Sequence, residues 1–116
     1  MSTYSDMLDV FTAELQNAMG VPATRDPSQV AGLTAAGGCI LVGFPTHVQR
    51  LLGGPNLDVP VSLVAPAPSD LRAVDWLLEH MDALMDACSV GVSVARPLDV
   101  GDLTYPSVGV TARIAL

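Results

Sequence analysis

The feature that most constrains the fold of this chain is the stretch PSDLRAVDWLLEHMDALMDAC (68–88), which has the apolar spacing of a long amphipathic helix. At about 100° per residue, its apolar side chains fall within one arc of roughly 140°. An arc of this width predicts that the helix packs along one face against the rest of the chain. The predicted core-facing residues are Leu71, Val74, Leu77, Leu78, Met81, Leu84, Met85 and Cys88.

The other segments predict one more amphipathic helix, a short helix and four strands. TYSDMLDVFTAELQNAMG predicts the first helix, which ends at Gly20. Asp26 before Pro27, with Gln29 three positions after the aspartate, resembles the capping box of a short helix. The strands are predicted at 39–44, with a continuation through THVQRLL left open, and at 57–65, 89–96 and 105–116.

This order predicts a single α+β domain spanning 1–116. Its core is a four-stranded, mainly antiparallel sheet covered on one face by two helices, in the order α-β-β-α-β-β with the short helix after the first. The opposite sheet face is predicted to be either exposed or close to another surface, because its residues are small and uncharged. These residues are Ser62, Gly91, Ser93, Gly109 and Thr111.

Charge narrows the classes of function. Twelve acidic residues stand against five arginines, and there is no lysine, so the net charge is −7. Such a surface repels phosphate backbones, which argues against nucleic-acid binding, and lysine-based catalysis is excluded. The longest apolar runs fall short of the ~20 residues of a membrane helix, so we expect a soluble, unexported protein.

The sequence contains no convincing catalytic or metal-binding motif. Gly91, Ser93 and Ala95 approach a nucleophile elbow, but the serine lies within an alternating strand, where that motif does not occur. His47 and His80 lack metal-ligand spacing. We therefore expect that the chain has no catalytic residues, metal or cofactor and that it is not an enzyme. Both cysteines, at 39 and 88, are predicted to be buried reduced thiols.

Two surfaces of the long helix are candidates for protein contacts. Four carboxylates share an arc of about 60° and either face solvent or bind a partner's arginines. They belong to Asp75, Glu79, Asp82 and Asp86. Trp76 lies outside the core arc with small or polar neighbours, which suggests a subunit contact; the alternative is that the N-terminal helix or segment 21–36 covers it. Its neighbours are Arg72, His80, Ala83 and Ala87.

The chain resembles the tail terminator proteins of long-tailed bacteriophages in the order and length of its elements and in the residue types along its segments. The resemblance runs through TRDPSQV and GGCILVGFPT, then VSLVAPAPSD and the long helix, to TYPSVGVTARIAL. It implies a structural protein of the virion neck, present in the host cytoplasm during assembly. As a homo-oligomer, a six-membered ring, it would join the tail tube protein to the head connector or stopper protein while DNA passes through without specific binding.

A ring requires two different patches of each subunit to meet. Under this resemblance, Trp76 supplies one patch, and Arg96 or Arg113 meets the acidic row of the next subunit. The segment PLDVGDLT is predicted to be the long acidic loop of a hairpin formed by the last two strands. Asp99 and Asp102 in this loop are candidates for the channel lining.

Two other functions stay open at this point. One is a different neck component, such as a stopper or head-completion protein. The other is a small ferredoxin-like domain that binds a ligand or regulates, which predicts a monomer or dimer with a concave pocket.

Overall fold

The structure is a computed structural model that describes residues 3–51, 54–66, 71–88, 94–100 and 103–115. At 3, 47–51, 54–56, 94–100, 103–105 and 115 the description is of the backbone. The elements in chain order are α1 Thr3–Met19, β1 Ala23–Thr24, a 3₁₀ helix Pro27–Gln29, α2 Val30–Ala36, β2 Cys39–Val42, β3 His47–Leu51, β4 Gly54–Val64, α3 Leu71–Cys88, β5 Val94–Val100 and β6 Leu103–Ala115.

The strands form one sheet in the order β1-β2-β4-β6-β5, with β3 also paired to β4. All pairings are antiparallel except that of β1 with β2, which is parallel. The predicted α+β class and mainly antiparallel sheet are therefore confirmed. The two-residue β1 and the division between β2 and β3 were not predicted.

β2 and β3 follow the same side of β4 and are separated by a bulge at residues 43–46. Val42 pairs with Val61, and His47 pairs with Asp58, so four residues on one side face two on the other. Backbone hydrogen bonds from Gly43 to Pro60 and from Thr46 to Asp58, both 2.8 Å, hold the bulge. The continuation of the first strand that was left open is thus present as far as Leu51, after an interruption by this bulge, and Leu52 lies outside the described residues.

The main core lies between one face of the sheet and the two long helices. Alternate residues of β4 and β6 point into it, as the sequence predicts. Its buried strand and helix residues include Ile40, Val42, Leu57, Val59, Val61, Leu63, Val108, Val110 and Ala112, with Met7, Leu8 and Leu15 of α1 and Leu77 and Leu84 of α3.

A smaller core on the other sheet face corrects the prediction that helices cover one face only. Val30 of α2 packs with Cys39, Leu41 and Val64, which alternate with the main-core residues of β2 and β4. The short helix therefore covers part of the face opposite α1 and α3. On that face Ser62, Ser107 and Gly109 are buried, whereas Thr111 is exposed.

The predicted cap at Asp26 is present, with an added partner. The Asp26 carboxylate accepts hydrogen bonds from the Ser28 backbone and hydroxyl, at 3.0 and 2.8 Å. These bonds lower the pKa of Asp26. Gln29 accepts from the Thr24 hydroxyl at 2.7 Å, and that hydroxyl in turn accepts from the Asp26 backbone N–H at 3.0 Å. The capping box is thus closed through the threonine hydroxyl.

The last hairpin differs from the prediction in two respects. PLDVGDLT is mostly strand, because β5 reaches Val100 and pairs it with Leu103. The register also pairs Val94 with Gly109, so Val94 lies on the sheet face that was predicted to carry Ser93 and Gly109. Within the described ranges, no helix has both the length and the apolar character needed to cross a membrane.

Candidate interaction surface around the third helix

Helix α3 is turned relative to its predicted orientation. Leu77, Leu84 and Cys88 are buried as predicted, together with Ala73. Three residues of the predicted core arc are instead exposed: Leu71, Val74 and Leu78, by 73%, 48% and 56%. On a helical wheel the buried residues centre roughly 60° from the predicted direction. The predicted core face of α3 was therefore wrong on one side.

Trp76 explains the turn. Its side chain is half-buried and packs against the main core. A Cβ atom on Gly38 would lie 2.7 Å from Cζ2 and 2.8 Å from Cη2 of the indole, so the ring lies directly on the glycine backbone. The tryptophan thus covers the start of β2 in its own chain, just beyond the segment 21–36 that was the alternative to a subunit contact.

The turn exchanges aliphatic burial for aromatic burial. Trp76 and the exposed leucines lie on opposite flanks of the helix, so burying the indole moves the leucines outward. The sequence signal that could have indicated this is Gly37–Gly38, where the backbone leaves room for a ring.

His80 supports the tryptophan. The two rings lie 4.3 Å apart between centroids with a tilt of 30°. His80 Nδ1 lies 2.8 Å from the backbone oxygen of Trp76, and because a carbonyl only accepts, Nδ1 carries the proton. This histidine stabilises a helix turn and is not arranged as a ligand.

The exposed side of α3 carries an apolar strip beside an acidic row. We call Leu71, Val74 and Leu78 the α3 strip. The acidic row consists of Asp75, Glu79, Asp82 and Asp86, all exposed. Among the residues that the structure describes, none of these four carboxylates has an ion-pair or hydrogen-bond partner. Ala83 and Ala87, at the other border, are also exposed.

The two arginines predicted to meet the acidic row of the next subunit lie on strands β5 and β6. Arg113 binds Asp58 across β6 and β4, with Nε–Oδ1 at 2.9 Å and Nη2–Oδ2 at 3.3 Å. This hydrogen bonding raises the pKa of Arg113. Arg96 stands opposite Ser107 in the β5–β6 register. Arg72 is exposed on the first turn of α3.

Of the two proposed channel residues, Asp99 lies in β5 opposite Thr104. Asp102 lies outside the described residues. The acidic segment that was predicted to be a long loop is therefore mainly a strand.

A second surface, not predicted from the sequence, lies at the bulge. Phe44 is 89% exposed. Beside it, an open cavity of about 410 Å³ lies between the bulge and α1, lined by Tyr4, Leu8, Arg25 and Leu57 among others. Arg25 Nη1 binds Asp9 Oδ1 at 2.7 Å at the edge of this cavity. The signal in the sequence was Phe-Pro after a buried strand, since proline cannot donate to the ladder.

Both cysteine side chains lie within the described part of the chain. Cys39 and Cys88 are free and buried, as predicted. Burial raises the pKa of each thiol to about 11, which disfavours the nucleophilic thiolate. The described residues contain no group of three or more His, Cys, Asp or Glu side chains that could hold a metal ion.

Comparison with family models, with curated proteins and with solved structures gives no match for the chain.

Proposed function

We propose that this chain is a bacteriophage tail terminator, a structural protein that closes the head-proximal end of the tail tube as a six-membered ring and joins it to the head connector. The observation that carries the proposal is the exposed face of α3, where an apolar strip and four carboxylates without described partners lie side by side. An exposed apolar surface bordered by a row of charged side chains is typical of an assembly interface. That this assembly is a six-membered ring is inferred from the resemblance of the sequence to tail terminators in element order.

The first test is the solution mass by light scattering over a wide concentration range. Six chains of 12.0 kDa would give about 72 kDa. A concentration-dependent rise toward this mass supports the ring. A mass that stays at one chain at every concentration, together with no binding to tail tubes, would contradict it.

The second test separates a terminator from another neck component. Labelled protein is mixed with isolated tails, and separately with DNA-filled heads, of the phage that encodes it. Electron microscopy then shows where the label lies. Label at one end of the tube supports a terminator, whereas label on heads alone supports a stopper or head-completion protein.

One observation favours a second candidate, a ligand-binding domain: the mainly apolar cavity of about 410 Å³ has the size of a small-molecule site. This alternative predicts a monomer that binds an apolar probe at one site. Anilinonaphthalene sulfonate fluorescence is the measurement, with Ser5→Trp, which fills the cavity, as the comparison. One-site binding that disappears in this variant would favour the domain over the ring.

A further inference from the structure

We propose that subunits of this protein meet head to tail, with the bulge of one copy seated on the α3 strip of the next. The bulge patch consists of Phe44 and Pro45, with Arg25 at its border. The inference rests on the proposed ring and names the two surfaces that would form its repeated contact.

The two patches lie at opposite edges of the sheet. Trp76 points from α3 toward β2, because its ring rests on Gly38. The α3 strip lies about 160° around the helix from the tryptophan, and so on the β5 side. The bulge continues β2 at the other side, beyond Leu41, the last residue of β2 that β1 pairs with. Patches on opposite edges fit a head-to-tail contact, which closes into a ring when the rotation between copies allows it.

Both patches expose apolar side chains that the chain itself leaves uncovered. Phe44 is the most exposed of the large apolar residues described, and Leu71 follows it. The bulge that carries Phe44 is fixed by two backbone hydrogen bonds to β4. A ring held outward on a fixed support is suited to insertion between the side chains of a helix.

The distribution of charge favours a head-to-tail contact between two copies over a symmetric one. A symmetric contact between two α3 strips would bring two acidic rows together, which is repulsive. In the head-to-tail arrangement, Arg25 of one copy approaches the acidic row of the next. Arg25 is bound to Asp9, but about a third of its side chain stays exposed, by 35%. The bulge patch, with Arg25 beside it, is thus a better match in charge for the α3 strip than a second α3 strip is.

The test uses two variants, each of which disrupts the contact surface of one patch and leaves the other patch unchanged. Phe44→Ser removes the ring from the bulge, and Leu78→Arg places a cation in the α3 strip. Both positions are exposed, so both variants are expected to fold, which circular dichroism checks. Val10→Ser is the matched control, because Val10 is 57% exposed on α1 and belongs to neither patch.

Sedimentation velocity gives the result. Each variant alone is expected to lose assembly, whereas an equimolar mixture recovers one contact and forms a dimer of two 12.0 kDa chains. The control assembles like the unaltered protein. The proposal is overturned if either variant assembles normally, if the mixture stays monomeric, or if the unaltered protein is monomeric throughout the series.

Cross-linking provides an independent measurement. Thr46→Cys and Asp82→Cys, which border the bulge patch and the α3 strip and leave Phe44 and Leu78 in place, are mixed and treated with a short bismaleimide, and a 1:1 product is expected. The native cysteines give a low background because both are buried. A mixture of Val10→Cys with Asp82→Cys is the control; an equal yield from it would overturn the contact.

Failure of this contact and failure of the tail function give different results. If Phe44→Ser and Leu78→Arg both still bind tube ends as rings, the contact is wrong and the function stands. If the contact assembles rings that bind neither tubes nor heads, the function is wrong and the contact stands.

Discussion

At Gly38 the lack of a side chain serves two purposes at once. The backbone has φ +100°, which L side chains rarely adopt, and the Trp76 ring occupies the space where a Cβ would lie. Gly38→Ala is therefore expected to lower the free energy of unfolding by about 2–4 kcal/mol, from backbone strain and overpacking together. Urea denaturation followed by Trp76 fluorescence measures this change.

Alanine substitutions at two nearby glycines separate the effect of backbone strain from that of overpacking against Trp76. Gly37 has φ +139° but a Cβ there would meet no described atom within 4 Å, so Gly37→Ala reports strain alone. Gly32 lies within α2 with open space, and Gly32→Ala is expected to raise stability by about 0.5–1 kcal/mol. Equal effects of alanine at 37 and 38 would contradict the contact with the indole.

The two thiols predict a dependence of stability on alkaline pH. Each has a folded pKa of about 11, raised from 9.0 by burial. Between these values the unfolded chain releases protons that the folded chain keeps, so stability falls as pH rises from about 9 toward 11. Urea midpoints across this range measure it, and a Cys39→Ala, Cys88→Ala variant is expected to show a smaller slope. An identical slope in that variant would contradict the assignment.

At the scale of the element, the orientation of α3 gives two leucines of the predicted core arc different burial. Leu84 is fully buried and Leu78 is 56% exposed. Leu84→Ala is expected to cost about 2–5 kcal/mol, whereas Leu78→Ala stays within about 1 kcal/mol. Comparing their denaturant midpoints tests the turn of the helix. Similar costs would restore the orientation predicted from the sequence.

The elements themselves were largely predictable, whereas their mutual orientation was not. Alternation in β4 and β6 identifies the main-core face because the side-chain period of a strand is two. In α3, however, the apolar residues cover more of the helix than one sheet face can bury. Which flank is covered depends on Trp76 meeting Gly38, a contact between distant parts of the sequence. The bulge escaped prediction because four residues facing two have no local periodicity.

At the scale of the whole molecule, strands β2 and β4 each contribute side chains to both cores. Leu63 of β4 lies in the main core, and its neighbour Val64 lies in the smaller one. We therefore expect a single cooperative unfolding transition. Tryptophan fluorescence and far-ultraviolet circular dichroism should give coincident curves. Separate transitions would show that the α2 region unfolds independently.

The candidate surface was predictable in part. The acidic row follows from helical spacing alone, and the structure places all four of its residues on the exposed side of α3. The α3 strip and Phe44 could not be recognised, because apolar residues in amphipathic segments are ordinarily assigned to the core. Trp76, chosen as an exposed anchor, is instead half-buried against its own chain.

The bulge also determines which changes of length the chain can tolerate. It adds two residues relative to β4, an even number, so the alternation of sides continues in phase and Val48 stands opposite the buried Leu57. Losing Phe44 and Pro45 together would leave one continuous strand with the same residues facing inward. Losing either one alone would reverse every residue of β3. Related chains should therefore differ here by insertions or deletions of two residues, and not of one.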